Sequence, residues 1–179
     1  MSVPRVRLVQ FGDKTTSGRL VDADLLMEIY GKATPEDLKN FDPPERSEIE
    51  WVTKKKIREW YVIENEKGQI VGTTSASFKP FKRDPLAFKL LSPGMKGWVG
   101  RTFILPKHRR NRYTTASALE IEKMAKERGL KKIYALINKH NTSSIRAYKK
   151  AGFKHSRMGT IRFYPLNYTM GEKQAERTR

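Results

Sequence analysis

The sequence predicts a mixed α/β fold in a single domain, and three observations carry that prediction. Strand-like and helix-like segments follow in the order β-α-α-β-β-β-α-β-α-β, with one or two strands at the close. An α/β domain with six to seven strands and about four helices is therefore expected. The length of 179 residues suits one core and leaves little room for two. The composition, 37% hydrophobic and 31% charged, is that of an ordinary water-exposed fold. The domain is placed at residues 1–171, with 172–179 as a polar tail.

Taken in order, Val3 to Phe11 alternates loosely and ends at Gly12-Asp13, the pattern of a first strand. Leu20, Ala23, Leu26, Met27 and Tyr30 recur on one face of a 3.6-residue period, which predicts a helix over about 20–31, stopped by Gly31. Asp42-Pro43-Pro44 breaks the chain before a second helical pattern from Glu45 to about Glu59. Tyr61–Ile63 and Ile70–Phe78, joined by the polar turn Glu64–Gly68, predict an antiparallel hairpin. Lys79 to Gly97, with its prolines and glycines, is expected as a connecting excursion. Trp98 to Leu105 is a strand closed by Pro106, and a basic loop then leads to a helix from Thr114 or Thr115 to Arg128, stopped by Gly129. Ser117-x-x-Glu120 has the form of a capping box but would start that helix a turn late. A strand over Lys131–Ile137, a short helix over Asn141–Lys150 ended by Gly152, and closing strands over Phe153–Thr169 complete the list.

Charge is distributed unevenly. Residues 1–78 hold 12 Lys/Arg against 13 Asp/Glu, residues 79–162 hold 22 against 4, and residues 163–179 hold 3 against 2, giving −1, +18 and +1. Such a half predicts an electropositive face suited to nucleotides, polyphosphates, nucleic acid or an anionic membrane surface. No stretch approaches the ~20 apolar residues of a membrane span, and no apolar leader opens the chain, so a cytoplasmic location is expected. The absence of cysteine excludes a disulfide framework, a thiolate zinc site and a cysteine nucleophile, and with three scattered histidines no metal is expected.

The most specific signal is Asn141-x-x-Ser144-Ile145-x-x-Tyr148-x-Lys150-x-Gly152-Phe153, just after a short apolar run. On a helix Asn141, Ser144 and Tyr148 lie at i, i+3 and i+7, so one face presents an amide, a hydroxyl and a phenol while Ile145 packs inward. About 30 residues upstream stands a basic loop, Arg109-Arg110-Asn111-Arg112-Tyr113-Thr114. Together these resemble the acetyl-coenzyme A site of the GNAT superfamily of N-acyltransferases, with motif detail over residues 98–156 and by element order over 1–97.

The resemblance implies a GNAT fold, acetyl-CoA as cosubstrate and an amine acceptor. The strand before the loop, including Phe103, Ile104 and Leu105, would pair its backbone with the pantetheine arm. The loop and helix start, Arg109, Arg110, Asn111, Arg112, Tyr113, Thr114 and Thr115, would present backbone N–H groups and a positive dipole end to the pyrophosphate. The family pattern there is Gln/Arg-x-x-Gly-x-Gly/Ala; Arg109 matches, while Arg112 and Thr114 replace the two glycines. Backbone cradling is expected to weaken, because arginine does not adopt positive φ freely, and the arginine side chains are expected to compensate through their planar forks. Asn141, Ser144 and Lys150 would contact the coenzyme. Tyr148 would be the general acid that protonates the leaving thiolate, since a phenol of ordinary pKa about 10 holds its proton at neutral pH.

Many family members place a glutamate on the strand before the loop as base, and Trp98–Leu105 contains no acid. Glu48 and Glu50 are the alternatives, as are loss of the proton to water and a relay through Thr102 and water. The basic half points to an anionic acceptor. Trp98, Phe103, Phe78, Phe81 and Phe88 interleave with Lys79, Lys82, Arg83 and Lys89, a pattern compatible with base stacking, although most of these aromatics are expected in the core. The competing reading is a nucleic-acid-binding or nucleic-acid-modifying protein on the same scaffold, with coenzyme binding weakened or lost.

Overall fold

The structure, a computed structural model, describes residues 2–78, 96–130, 132–155, 161–163 and 166–174. Nearly all of the expected excursion, with Phe81, Phe88, Lys79, Lys82, Arg83 and Lys89, lies outside the described residues.

Five strands carry the sheet around the site: β1 (Val6–Gln10), β2 (Glu59–Asn65), β3 (Ile70–Ser77), β4 (Lys96–Ile104) and β5 (Lys132–Asn138). The closing segment divides into β6 (Lys154–His155), β7 (Ile161–Phe163) and β8 (Leu166–Gln174), so the described residues form eight strands rather than six to seven. The order is β1-β2-β3-β4-β5-β8-β6, with β7 pairing β8. All neighbours are antiparallel except β4 and β5, which run parallel.

Five helices are described: α1 (Ala23–Tyr30), α2 (Pro35–Leu38), α3 (Arg46–Lys54), α4 (Tyr113–Glu127) and α5 (Thr142–Lys150). The first begins three residues later than its periodicity predicts, because the Asp22 side chain accepts the Leu25 N–H at 2.8 Å and caps it there. Leu20 is consequently exposed and pairs with Lys14 across an isolated bridge. The one-turn α2 was not anticipated, although its signal is present: Thr34 and Asp37 form a capping box with Pro35 in the first turn. Helix α3 stops at Lys54, five residues early. Lys56 turns to φ 52°, the Ile57 N–H returns to Val52 O at 3.0 Å, and Glu59 is already strand.

The sheet separates two apolar clusters. Val9, Trp60, Val62 and Phe103 face α1 and α3, packing with Leu25, Leu26, Ile29, Tyr30, Ile49 and Val52. Tyr61, Ala76, Val99, Ile133 and Ala135 gather on the other side with Ala118, Ile121 and Ala125 of α4 and Tyr148 of α5. Strand alternation assigns each residue to its side, as the neighbours Trp60 and Tyr61 show. Among the described residues no helix is long and apolar enough to cross a membrane.

Candidate active site

Two features of β4 open a cleft. Its parallel pairing with β5 runs from Lys96↔Lys132 to Val99↔Ala135 and ends there, although both strands continue. Beyond Val99 the two strands part, and the β5-facing edge of β4 has no strand partner among the described residues. On its other edge β4 bulges against β3: Ser75 pairs with Gly100 and Thr73 with Phe103, so Arg101 and Thr102 together oppose Thr74.

Side chains from distant elements hold this bulge. Arg101 has φ 52°, the left-handed region. Its carbonyl accepts the Tyr30 hydroxyl at 2.9 Å, and Ser75 Oγ donates to Gly100 O at 2.9 Å. The Arg101 guanidinium donates to the Asp42 carbonyl and to Glu48 Oε2 at 3.2 Å. Burial pushes the Tyr30 phenol far above its ordinary range, so it stays a neutral donor.

The loop that follows is built from cations aimed in different directions. Phe103 and Leu105 are buried, which leaves their backbone rather than their side chains to a ligand, while Ile104 is half-buried. Arg109 turns toward α2: its Nη2 lies 2.8 Å from Asp37 Oδ2, its Nε donates to Ile104 O at 3.2 Å, and its guanidinium carbon sits 5.7 Å from the Phe103 ring centroid. Burial acts to raise the Asp37 carboxyl, but hydrogen bonds from Arg109 and Thr34 outweigh it and hold the group below its usual range. Arg110 and Arg112, with Asn111 and Tyr113, instead line a cleft of about 410 Å³ whose other cations are Arg5 and Lys67.

Arg110 and Arg112 have φ 65° and 61°. Of the two positions where the family pattern has glycine, Arg112 nevertheless takes the left-handed backbone, carrying the strain rather than avoiding it, while Thr114 lies within α4. No side chain caps α4, and its first turn contains no acid. The start of this 15-residue helix at Tyr113 and Thr114 thus keeps the polarity that attracts an anion. Thr115 does not belong to that surface; it is buried and its hydroxyl donates to Ala147 O of α5 at 3.1 Å.

Helix α5 is built as the motif spacing predicts. Asn141 is its N-cap, with Oδ1 accepting the Ser144 N–H at 3.0 Å and the Ser143 hydroxyl at 2.9 Å. The amide oxygen is thereby used by the helix, and the NH₂ group is what remains for a ligand. Ser144 is half-buried, Ile145 packs on the second cluster, and Lys150 is exposed in the last turn. At the far end Gly152, at φ 86°, reverses the chain so that the Phe153 N–H reaches Tyr148 O at 3.0 Å and its ring meets the Tyr148 ring edge-on at 5.1 Å. This places Tyr148, 4% exposed, with its hydroxyl 3.1 Å from Thr102 Oγ1. Thr102 Oγ1 lies in turn 2.8 Å from Thr74 Oγ1. Burial pushes the Tyr148 phenol up to about 12, with the Thr102 hydroxyl acting the other way.

The acids are occupied elsewhere. Glu48 accepts from Arg58 at 3.1 Å as well as from Arg101, and Glu50 is exposed and bonded to Arg46 at 3.0 Å. Of the aromatics proposed for stacking, Phe103 is core, Trp98 packs against Tyr134 at 5.5 Å, and Phe78 lies 4.0 Å beneath the Arg128 guanidinium carbon. The Thr74–Thr102–Tyr148 contact was missed, because nothing local in the sequence announces a bulge.

A family model described as "Acetyltransferase (GNAT) family" matches residues 23–153. No curated protein matches the chain in sequence. Among solved structures, spermidine N-acetyltransferase from Vibrio cholerae in complex with CoA and spermine is 13% identical, with a TM-score of 0.66 over 98% of this chain and 97% of that one. The aminoglycoside acetyltransferase AAC(6′)-Ib in complex with coenzyme A is 12% identical, with a TM-score of 0.70 over 95% and 94%.

Proposed function

Because the chain belongs to the acetyltransferase (GNAT) family, we propose that it transfers an acetyl group from acetyl-CoA to an amine by direct attack in a ternary complex, with Tyr148 as general acid. The observation that carries this reading is the Tyr148 hydroxyl, buried beside Thr102 where β4 and β5 part. The pantetheine arm pairs along the open edge of β4, and the pyrophosphate meets the uncapped start of α4. Asn141 supplies its NH₂ donors from the opposite wall.

In the reaction the neutral amine attacks the thioester carbonyl carbon. A C–N bond forms, the C–S bond breaks, and the electron pair leaves on sulfur, which takes the phenolic proton of Tyr148. The surplus proton on nitrogen passes to water, and the phenolate recovers a proton from water. Glu48 and Glu50 supply no base in this scheme, since both already accept hydrogen bonds from arginine.

The acceptor is read as an anionic amine. The two solved structures described above are named for a polyamine and an aminoglycoside acceptor, which are polycations. This chain, at +18, carries the charge that would repel such molecules. Acetylation of a nucleic acid or a nucleotide is the extreme of the same argument.

Titration calorimetry with acetyl-CoA at about 0.15 M salt, where loose electrostatics are screened, tests the proposal, with ADP and a short DNA duplex as competitors. Saturable coenzyme binding that ADP weakens and DNA does not is expected. Binding of DNA with none of acetyl-CoA would sink the acyltransferase reading in favour of a nucleic-acid protein.

A further inference from the structure

We infer that the β4 bulge brings a pair of threonine hydroxyls to the acid, making Thr102 the positioning residue of Tyr148 and Thr74 the residue that orients Thr102. The inference rests on the reading of Tyr148 as proton donor.

The argument begins with which side of the sheet each residue occupies. In a regular strand, residues four apart share a face. Val99 packs in the cluster with α4 and α5, yet Phe103 packs in the opposite cluster with α1. The extra residue between them reverses the alternation. Continued regularly from Val99, β4 would turn Arg101 toward Tyr148 and Thr102 beneath α1. With the bulge, Thr102 faces Tyr148 and Phe103 fills the core under Tyr30, 6.1 Å between ring centroids. On β3 the register puts Thr74 opposite Tyr61, which packs in the Tyr148 cluster, so Thr74 shares that side.

Direction follows from the chemistry. If Tyr148 is to give its proton to sulfur, its O–H cannot be committed to Thr102, so Thr102 donates to the Tyr148 oxygen. The lone pairs of Thr102 then accept from Thr74, which is 0% exposed. All three hydroxyls, those of buried Thr74 and Tyr148 and of half-buried Thr102, are satisfied in that one sense. When the phenolate forms, a donor already stands 3.1 Å away, and hydrogen bonds to charge are the strong ones. No atom is transferred through the threonines.

The test uses the whole chain with Thr102→Val, which keeps shape and strand preference, and Thr102→Ser, which keeps the hydroxyl. Tyrosine labelled with ¹³C at Cζ reports the hydrogen bond at the phenol without turnover, its resonance being assigned by Tyr148→Phe. Thr102→Val is expected to move the Tyr148 resonance and Thr102→Ser to leave it near the wild-type position. Thiol release from acetyl-CoA, with an anionic amine such as glutamate or with water as the acceptor, should fall about 10- to 100-fold in kcat for Thr102→Val. KM for acetyl-CoA should hold, and Thr102→Ser should recover most of the loss. In a Tyr148→Phe background Thr102→Val should cost nothing further. An unmoved resonance, or an equal loss of turnover with and without the Tyr148 hydroxyl, overturns the inference while leaving the acid assignment standing. Normal turnover in Tyr148→Phe itself overturns both.

Discussion

Two segments meet the proposed coenzyme from opposite sides, and they are held by different means. Helix α5 is organised from within: Asn141 caps it, Gly152 ends it in the conformation glycine prefers, and Phe153 folds back on Tyr148. The loop between β4 and α4 is organised from outside. Its arginines at 110 and 112 stand in a backbone region that disfavours them, and Arg109 is tied to Asp37, 72 residues away in sequence. The difference teaches that a backbone conformation glycine favours can be held at other residues when distant contacts fix the surrounding loop. The cost moves into backbone strain.

The comparison breaks most sharply at Tyr148. Tyr148→Phe removes one oxygen from a packed ring, and general acid catalysis contributes roughly 10²- to 10⁴-fold. Turnover measured as thiol release should fall by that order, while calorimetric affinity for acetyl-CoA stays within about 3-fold. A smaller effect is expected at the other end of the helix. Asn141→Ala deletes the cap and should lower stability by about 1 kcal/mol, read as a shifted urea midpoint with unchanged slope. If its NH₂ group binds the coenzyme as proposed, affinity for acetyl-CoA should drop as well.

What could be read from the sequence follows the same division. The fold order, the spacing of Asn141, Ser144 and Tyr148, and the stop at Gly152 were legible because each is set by residues within a turn or two. The capping box of α2 was equally local and was overlooked. The bulge at Arg101 was not legible, since it depends on Tyr30, Glu48 and Ser75, and the Tyr30 hydroxyl reaches it across 71 positions. The loop conformation was misjudged for the same reason. Residue preference argued against positive φ at Arg112, and tertiary context overruled it.

That override can be measured. A non-glycine residue in the left-handed region costs about 1 kcal/mol or more, and glycine returns part of this through its freer unfolded chain. Arg112→Gly should therefore stabilise the protein by a net amount below about 1 kcal/mol, a rise in Tm of up to about 2–4 °C. If the backbone makes the phosphate cradle, coenzyme affinity should stay within about 3-fold. A tenfold loss would assign the cradle to the Arg112 side chain.

The smallest effect is expected at Asp37, the outer support of the loop. Its carboxyl titrates below the value of 3.8 it would have free, so the folded state favours the ionised form. The stabilisation is present above that free value and is lost as pH falls through the lower folded one. Asp37→Asn keeps an oxygen for the Thr34 N–H but removes the charge that holds Arg109. For a pair exposed to this degree the loss should be under about 1 kcal/mol at neutral pH and weaker in high salt. Urea midpoints of the two proteins should converge as pH is lowered toward 2. A gap that persists undiminished at acid pH would mean that Asn disturbs the α2 cap itself, and that Arg109 is positioned by Phe103 and the Ile104 carbonyl rather than by the Asp37 charge.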